Sequence, residues 1–374
     1  MIMPERVIIC RSNSIAPDPR VEKTGRALKS AGYEVTLLGW DRTGQWISPK
    51  QDDGIKYQWI PVRAELAQGM GNLPALFRWQ VSLLTWLIRH RGEYELIHAC
   101  DLDTVLPGLI CKRLFKKKLV YDIFDFYADM LRATPAPLPQ LIRRLDLWVI
   151  GQVDAVILAD DSRTKQIAGS HPKKLKVIYN SPEDQTVTPC QEDPSGSFGL
   201  AYIGLLQRER GLFELMQVLS KHPEWRLDLA GFGSEAGQLE QMAEDMPHVR
   251  FHGRVAYDKA LQLSARADVL VATYDPSIPN HRYSSPNKVF EAMLLGKPII
   301  VARHTNMDRI INEAKCGVVI PYGDVQALED TLAYLKESPT ERRTLGQNAR
   351  RAYENQYAWE NMAQTLRELY QSEL

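Results

Sequence analysis

The stretch Ser284–Pro298, SSPNKVFEAMLLGKP, predicts a short helix with two differently built faces. Ser285 is placed to cap it. Pro286 at the first position brings a preset φ and gives up a donor that a helix start does not use. Gly296 supplies the stop, with Pro298 close behind. Val289, Phe290, Met293 and Leu294 share an apolar face. Asn287, Lys288 and Glu291 fall on the other side, at i, i+3 and i+4 spacing. Lys288 in the first turn adds to the partial positive charge of the open amides there, which favours a diphosphate. Glu291, one turn on, has two oxygens to accept from neighbouring hydroxyls such as a ribose diol. By pattern alone the same residues also make an ordinary amphipathic helix with a Lys288–Glu291 surface pair.

The segment resembles the nucleotide-sugar motif of family 4 retaining glycosyltransferases, in the subgroup form S-P-x-K-x-F-E-A-M-x-x-G-K-P. Ser285, Pro286, Lys288, Phe290, Glu291 and Ala292 fit it, as do Met293, Gly296, Lys297 and Pro298. The resemblance implies the GT-B fold: an α/β architecture of two Rossmann-like, doubly wound domains facing a central cleft. It also implies a hexosyltransferase that needs no metal and no cofactor, its nucleotide sugar being a substrate. The wider family has two glutamates in this region. Glu291 stands at the second and Tyr283 at the first.

Length and composition agree with two soluble domains. The chain has 374 residues, of which 44% are hydrophobic and 25% charged, so each half can bury its own core. Lys+Arg and Asp+Glu are both 46, which gives no support to a nucleic-acid partner. A local basic cluster runs through Lys112, Arg113, Lys116, Lys117 and Lys118, a pattern that is usually a solvated face. Cys10, Cys100, Cys111, Cys190 and Cys316 are scattered and form no CxxC pair, as expected for reduced thiols in the cytoplasm. The N-terminus MIMPERVIIC lacks the apolar core of a signal peptide. Leu73–Ile88 is the nearest approach to a membrane span, but Arg78 and Gln80 interrupt it. It reads as a helix buried against a sheet, with Trp79, Leu83 and Trp86 on one side and Phe77, Leu84, Leu87 and Ile88 on another. Its aromatic and basic content also suits the inner face of a cell membrane.

Strand and helix patterns alternate from Arg6 to Tyr179 and again from Phe198 onward, which predicts parallel sheets covered on both faces. Residues 181–197, SPEDQTVTPCQEDPSGS, read as a linker. The expected domains are therefore 1–180 on the acceptor side and 198–354 for the nucleotide sugar. By the resemblance, the C-terminal helix at 355–374 packs back on the first.

Other constellations follow the same resemblance. In AYIGLLQRERGL, Gly204 lets a phosphate approach the backbone and Arg210 offers a planar guanidinium to a diphosphate. Arg210 stands at the family's phosphate Lys and Leu205 at its other basic position. Gly231 opens a G-x-G loop that is also an ordinary tight turn. Arg254 and Val255 in FHGRV stand where the family reads the base through the backbone. His281 and Tyr283, in the loop before the signature helix, are candidates for the donor, with Ser285 and Asn287 beside them. In the first half, SNSIAPDPR brings Asn13 and Arg20 to the acceptor side. HACD resembles the family's H-A-H-D, with Cys100 replacing the second His. YDIFDFYADM resembles Y-D-x-H-E-x-Y, with Phe124 at the His position and Asp125 at the Glu position. Asp101, Asp122, Asp125 and Asp129 are then carboxylates to orient an acceptor hydroxyl or shield positive charge building on the sugar ring, and such residues are also ordinary helix caps. The catalytic set is Asp101, Asp125, Arg210 and Lys288, with no metal. The expected partners are a nucleoside-diphosphate sugar, UDP-sugar foremost, and a glycan or lipid-linked acceptor of cell-surface polysaccharide synthesis reached by peripheral contact with a membrane. The competing readings are a catalytically silent GT-B protein that binds nucleotide or scaffolds a partner, and a sugar-nucleotide epimerase.

Overall fold

The structure is a computed structural model and describes residues 5–45, 49–64, 73–130, 137–185, 187 and 196–374. The chain divides into two compact units: Met1–Tyr179 with Met362–Leu374, and Asn180–Asn361.

The first unit is built on strands β1 (Arg6–Arg11), β2 (Glu34–Asp41), β3 (Lys50–Asp52), β4 (Ile55–Pro61), β5 (Leu96–Cys100), β6 (Lys118–Ile123), β7 (Ala155–Leu158) and β8 (Leu175–Val177). They form one sheet in the order β3-β4-β2-β1-β5-β6-β7-β8. All pairs are parallel except β3–β4. That pair is a hairpin turning on Asp53 and Gly54, both at positive φ. The Asp-Gly pair in QDDGIKY is a standard hairpin signal, and the sequence reading passed over it. Helices α1 (Pro19–Ser30), α2 (Leu73–Arg89), α3 (Leu102–Phe115), α4 (Tyr127–Met130), α5 (Pro137–Ile150) and α6 (Arg163–Gln166) complete the wrapping. Strands such as LIHAC and AVIL are buried along their whole length, as two covered faces require. In α2 the buried line is Ala75, Trp79, Leu83 and Leu87. It follows i, i+4 spacing, so Leu87 and not Trp86 completes the inner face. Trp79 stacks on Trp40 with ring centres 5.1 Å apart.

The second unit holds β9 (Gly199–Leu205), β10 (Arg226–Phe232), β11 (Val249–Phe251), β12 (Val269–Ala272), β13 (Ile299–Ala302) and β14 (Gly317–Ile320). Their order is β11-β10-β9-β12-β13-β14, parallel throughout. The helices are α7 (Leu212–Leu219), α8 (Ala236–Glu244), α9 (Tyr257–Arg266), α10 (Asn287–Leu294), α11 (Met307–Ala314), α12 (Val325–Glu337) and α13 (Pro339–Ala352). The last helix of the chain is α14 (Trp359–Glu368). Beyond it, Tyr370 is fastened inside the first unit: its carbonyl accepts from the Tyr33 hydroxyl at 2.9 Å, and its hydroxyl meets His98 Nδ1 at 2.6 Å.

Of the stretch expected as a linker, residues 186 and 188–195, with Cys190, lie outside the described residues. Its beginning is not a free tether. Ser181 and Pro182 are buried, the Tyr353 hydroxyl donates to the Pro182 carbonyl at 3.0 Å, and Asp184 pairs with Arg350 at 2.8 Å. Both anchors lie on one face at the end of α13.

Candidate functional site

A parallel sheet opens a crevice at the carboxyl ends of its strands, where the chain switches from building on one side to building on the other. In the second unit that switch lies between β9 and β12. The predicted donor residues gather there.

The signature helix is α10. Its N-cap by backbone geometry is Pro286, which has no polar side chain to cap with, so Ser285 stands one residue before the helix start. Pro286 is extended at ψ 151° and Asn287 becomes the first helical residue. The N–H groups of the first turn have no partner in a preceding turn of the helix. The other end closes as read: Gly296 N–H donates to Met293 O at 3.1 Å and Lys297 N–H to Ala292 O at 2.9 Å.

Lys288 points back over the end of β9. Its Nζ lies 3.5 Å from the centre of the Tyr202 ring and 5.5 Å from that of Tyr274. The Arg210 guanidinium sits 4.0 Å over the same Tyr274 ring. Two cations thus converge on one aromatic wall. Lys288 as a residue is only partly buried, but its nitrogen is shielded from solvent and has no hydrogen-bond partner. Arg210 Nε is likewise buried and unpartnered. Burial drives the Lys288 ammonium well below its usual range, and the Arg210 charge pushes it further, with Glu291 opposing. Gly204, at φ +152°, lets the backbone pass beneath this nitrogen: a Cβ there would stand 3.0 Å from it. Gly231, paired in register with Gly204, is needed for a plainer reason, since its Cβ would meet the Gly204 carbonyl at 1.8 Å.

Glu291 lies one turn beyond Lys288. The Tyr257 phenol at the start of α9 is pushed up by burial and by the Glu291 carboxylate, to which it bonds. The stretch before α10, expected as a loop carrying donor candidates, winds into a 3₁₀ turn over Pro279–Tyr283. His281 is buried in it, donating through Nδ1 to the Asp275 carbonyl at 2.8 Å and tilted against the Tyr274 ring. His281 therefore shapes the wall behind Arg210. Tyr283, Ser285 and Asn287 are half-buried along the rim. Arg254 is exposed and lies over the Phe232 ring at 4.8 Å, with Val255 half-buried beside it. Gly231 N–H holds the Gly253 carbonyl at 2.8 Å, which ties that turn to the glycine loop.

In the first unit the switch lies between β1 and β5, and a salt bridge spans it. Arg11, closing β1, donates through Nη1 to Asp101 Oδ2 at 2.6 Å. Arg11 Nε also faces Asp18 Oδ2 at 3.3 Å. Asp101 follows β5 at φ 67°, ψ 170°. That is a glycine-type conformation costing about 1–3 kcal/mol in any other residue. It is held because Asp101 Oδ1 accepts from the Phe124 and Asp125 amides at 2.9 and 3.3 Å. Burial raises the Asp101 carboxyl, Arg11 pulls it down, and Asp103 and Asp125 push it up again, leaving it at about 6.

The remaining acceptor-side candidates separate. Asn13 bonds Asp18 at 2.7 Å and the Ile15 amide at 2.8 Å, which shapes the loop before α1. Arg20 and Asp122 are both buried and bond each other at 2.8 Å, with His98 Nε2 at 3.3 Å from the second Asp122 oxygen. Burial would raise the Asp122 carboxyl, but Arg20 and His98 outweigh it and hold it below the usual range. This pair staples β6 to α1 inside the unit, away from the surface that Asp101 reaches. Asp125 is exposed and pairs with Arg163 at 3.0 Å. Phe124, at the family's His position, lies under two guanidiniums, Arg11 at 3.9 Å and Arg20 at 4.6 Å.

Sequence reasoning missed Tyr202, Tyr274, Tyr257 and Arg11. Tyr202 and Tyr274 carry no motif; only strand alternation and position beside the switch point mark them. Arg11 had a legible signal as the charged residue that closes the apolar run VIIC of β1.

Residues 191–352 match the family model described as glycosyl transferases group 1, and residues 16–180 match a glycosyl transferase 4-like domain. D-inositol 3-phosphate glycosyltransferase of Corynebacterium urealyticum is 23% identical over 322 residues, covering 78% of this chain and 74% of that protein. Among solved structures, sucrose-phosphate synthase from Thermosynechococcus elongatus has a TM-score of 0.80 at 16% identity, covering 98% of each chain. HepE of Anabaena, in complex with UDP and glucose, has a TM-score of 0.72 at 18% identity, covering 98% of this chain and 100% of that one. These likenesses show the fold, two Rossmann-like α/β domains of the GT-B kind.

Proposed function

This chain belongs to the group 1 glycosyltransferases, with a glycosyl transferase 4-like domain in front, and from that premise we propose that it is a retaining, metal-independent transferase of a UDP-sugar. The observation that carries the reading is Lys288: a shielded ammonium without a hydrogen-bond partner, beside Arg210 and in the first turn of α10. A diphosphate supplies the acceptor oxygens and the countercharge that this arrangement lacks. Glu291 takes the ribose hydroxyls, and the backbone at Arg254 and Val255 reads the base edge. UDP is favoured because HepE, solved in complex with UDP and glucose, shares the fold.

As the bond from the anomeric carbon to phosphate breaks, negative charge grows on the leaving diphosphate. Lys288, Arg210 and the α10 amides stabilise it there. The sugar passes through an oxocarbenium-like state, and the acceptor hydroxyl attacks on the face the leaving group departs, its proton passing to the departing phosphate oxygen. Asp101 orients that hydroxyl. The acceptor is a glycan or a lipid-linked sugar, met by a cytoplasmic enzyme at a membrane surface. Phe124 offers no proton donor, which favours a second reading, a silent nucleotide-binding protein. Slow hydrolysis of a radiolabelled donor separates the two, since a silent protein leaves the donor intact.

The experiment for the binding reading is a thermal-shift series with UDP, GDP, ADP and their sugars. UDP should raise the melting temperature by mass action. Glu291→Ala should lose most of that response; a variant that responds as wild type does would remove the ribose from Glu291.

A further inference from the structure

The exposed apolar surface of the first unit is concentrated on three neighbouring helices. Phe77 is 71% exposed and Val81 47% on α2, Leu114 is 64% exposed on α3, and Leu141 and Trp148 are 62% and 47% exposed on α5. The helices pack side by side, α3 touching both α2 and α5. Their inward residues, Trp79, Leu83, Val105, Leu109, Val149 and Ile150 among them, share one core beneath the sheet. Their outward residues therefore form one surface. Such a concentration is more than the scattered exposed apolar residues of an ordinary surface.

The charges on the same helices are one-sided. The chain as a whole is neutral. Yet α2 carries Arg78 and Arg89 and no acid, while α3 and α5 carry exposed Arg113 and Arg144. The acids within these three helices are Asp103 and Asp146, and both are buried. Arg113 reaches from α3 to lie 5.2 Å over the Trp148 ring of α5. Apolar side chains interleaved with arginines, with an aromatic ring at their edge, are what an interfacial surface needs. Among the described residues no helix is long and apolar enough to cross a membrane, so contact here is lateral.

We propose that the outward face of α2, α3 and α5 docks on an anionic lipid bilayer, with Phe77, Leu114, Leu141 and Trp148 entering the headgroup region and the arginines meeting lipid phosphates. This deepens the proposed encounter with an acceptor at a membrane. Asp101 is the N-cap of α3, so the docked face belongs to the same helix that presents the acceptor carboxylate.

The test is cosedimentation of the full chain with vesicles of phosphatidylcholine alone and of phosphatidylcholine with 30% phosphatidylglycerol. The chain should pellet with the anionic vesicles, remain largely in the supernatant with the neutral ones, and be released by about 0.5 M salt as screening sets in. Arg78→Glu/Arg113→Glu/Arg144→Glu should weaken anionic-vesicle binding at least tenfold. Phe77→Ser/Leu114→Ser/Leu141→Ser should weaken it comparably at unchanged melting temperature. Equal partition onto both vesicles, or none onto anionic ones, overturns the proposal. So does a serine variant that binds as wild type but turns a dimer into a monomer by light scattering, which would make the face an interface between copies. The readout uses no donor and no turnover, so its failure leaves the transfer reading standing, and failure of the UDP thermal shift leaves this one standing.

Discussion

At the switch point of the first unit, Arg11 meets Asp101 at 2.6 Å, and Arg20, one strand away, meets Asp122 at 2.8 Å. At the switch point of the second, Lys288 Nζ is buried with no hydrogen-bond partner, while Nε is unpartnered in Arg20 and Arg210 alike. The two crevices arise from the same topology and both lay cations over aromatic rings, but the first also pairs its arginines with carboxylates while Lys288 Nζ has no hydrogen-bond partner. A buried, unpaired charge is costly. A site that keeps one is complete only with an anion, whereas a self-paired site suits a neutral, hydroxyl-rich ligand. On the proposed reading, the division of labour between a diphosphate donor and a polyol acceptor follows from how each crevice treats its arginines and lysines.

The sharpest way to break this comparison is Lys288→Met, which keeps the stem and removes the charge. Transfer should fall by roughly 10²–10³-fold in kcat/KM, the scale seen when one donor to a developing anion is lost. The ligand-free protein should melt at a higher temperature than wild type, because an uncompensated charge is gone. A variant that loses activity and stability together would show that Lys288 is structural. A linked effect concerns protons. The diphosphate favours the charged ammonium, whose affinity for protons is depressed in the free protein. UDP binding should therefore take up a proton at high pH, and affinity should fall as pH rises. Calorimetry in buffers of different ionisation enthalpy reads this directly.

The next effect is on the first crevice. Asp101→Asn should lower kcat by on the order of a hundredfold while leaving the UDP thermal shift intact. In wild type the rate should rise with pH through about 6, as the Asp101 carboxyl ionises. Arg11→Ala removes the one cation opposing burial, while Asp103 and Asp125 remain to push the carboxyl up. The limb should move to higher pH, and Arg11→Lys should return it part of the way. A limb that stays in place in Arg11→Ala would separate Asp101 from the rate.

Much of the architecture was legible because the strands are short apolar runs punctuated by Gly and Pro, and because buried parallel strands leave little else to read. The signature helix was legible for its period and its glycine stop. Its cap was not: Ser285 precedes Pro286, and the proline holds the chain extended so that Asn287 begins the helix. The aromatic wall was hidden for a different reason. Tyr202 lies on β9 and Tyr274 just past β12, far apart in sequence, and they meet only because those strands are neighbours. Asp122 misled for the converse reason. Its place in a motif pointed outward, but strand alternation turned it inward to Arg20 and His98.

The smallest effect should come from the core beneath the first crevice. Asp146 on α5 is buried and accepts from the Tyr121 hydroxyl at 2.8 Å, while its other oxygen has no partner. Burial raises its carboxyl to about 7, with Tyr121 opposing. The folded state therefore holds a proton that the unfolded chain, near pH 4, has already released. Wherever the native state binds more protons, stability falls as pH rises, here from about 4 to 7, and the loss is complete above that. Asp146→Asn keeps an acceptor for Tyr121 and removes the titration. Its stability should flatten across that window and exceed wild type at pH 8 by on the order of 1 kcal/mol, read from urea midpoints at constant slope. Transfer should be unchanged, since Asp146 lies in neither crevice. A parallel loss of stability with pH in both proteins would place the titrating group elsewhere.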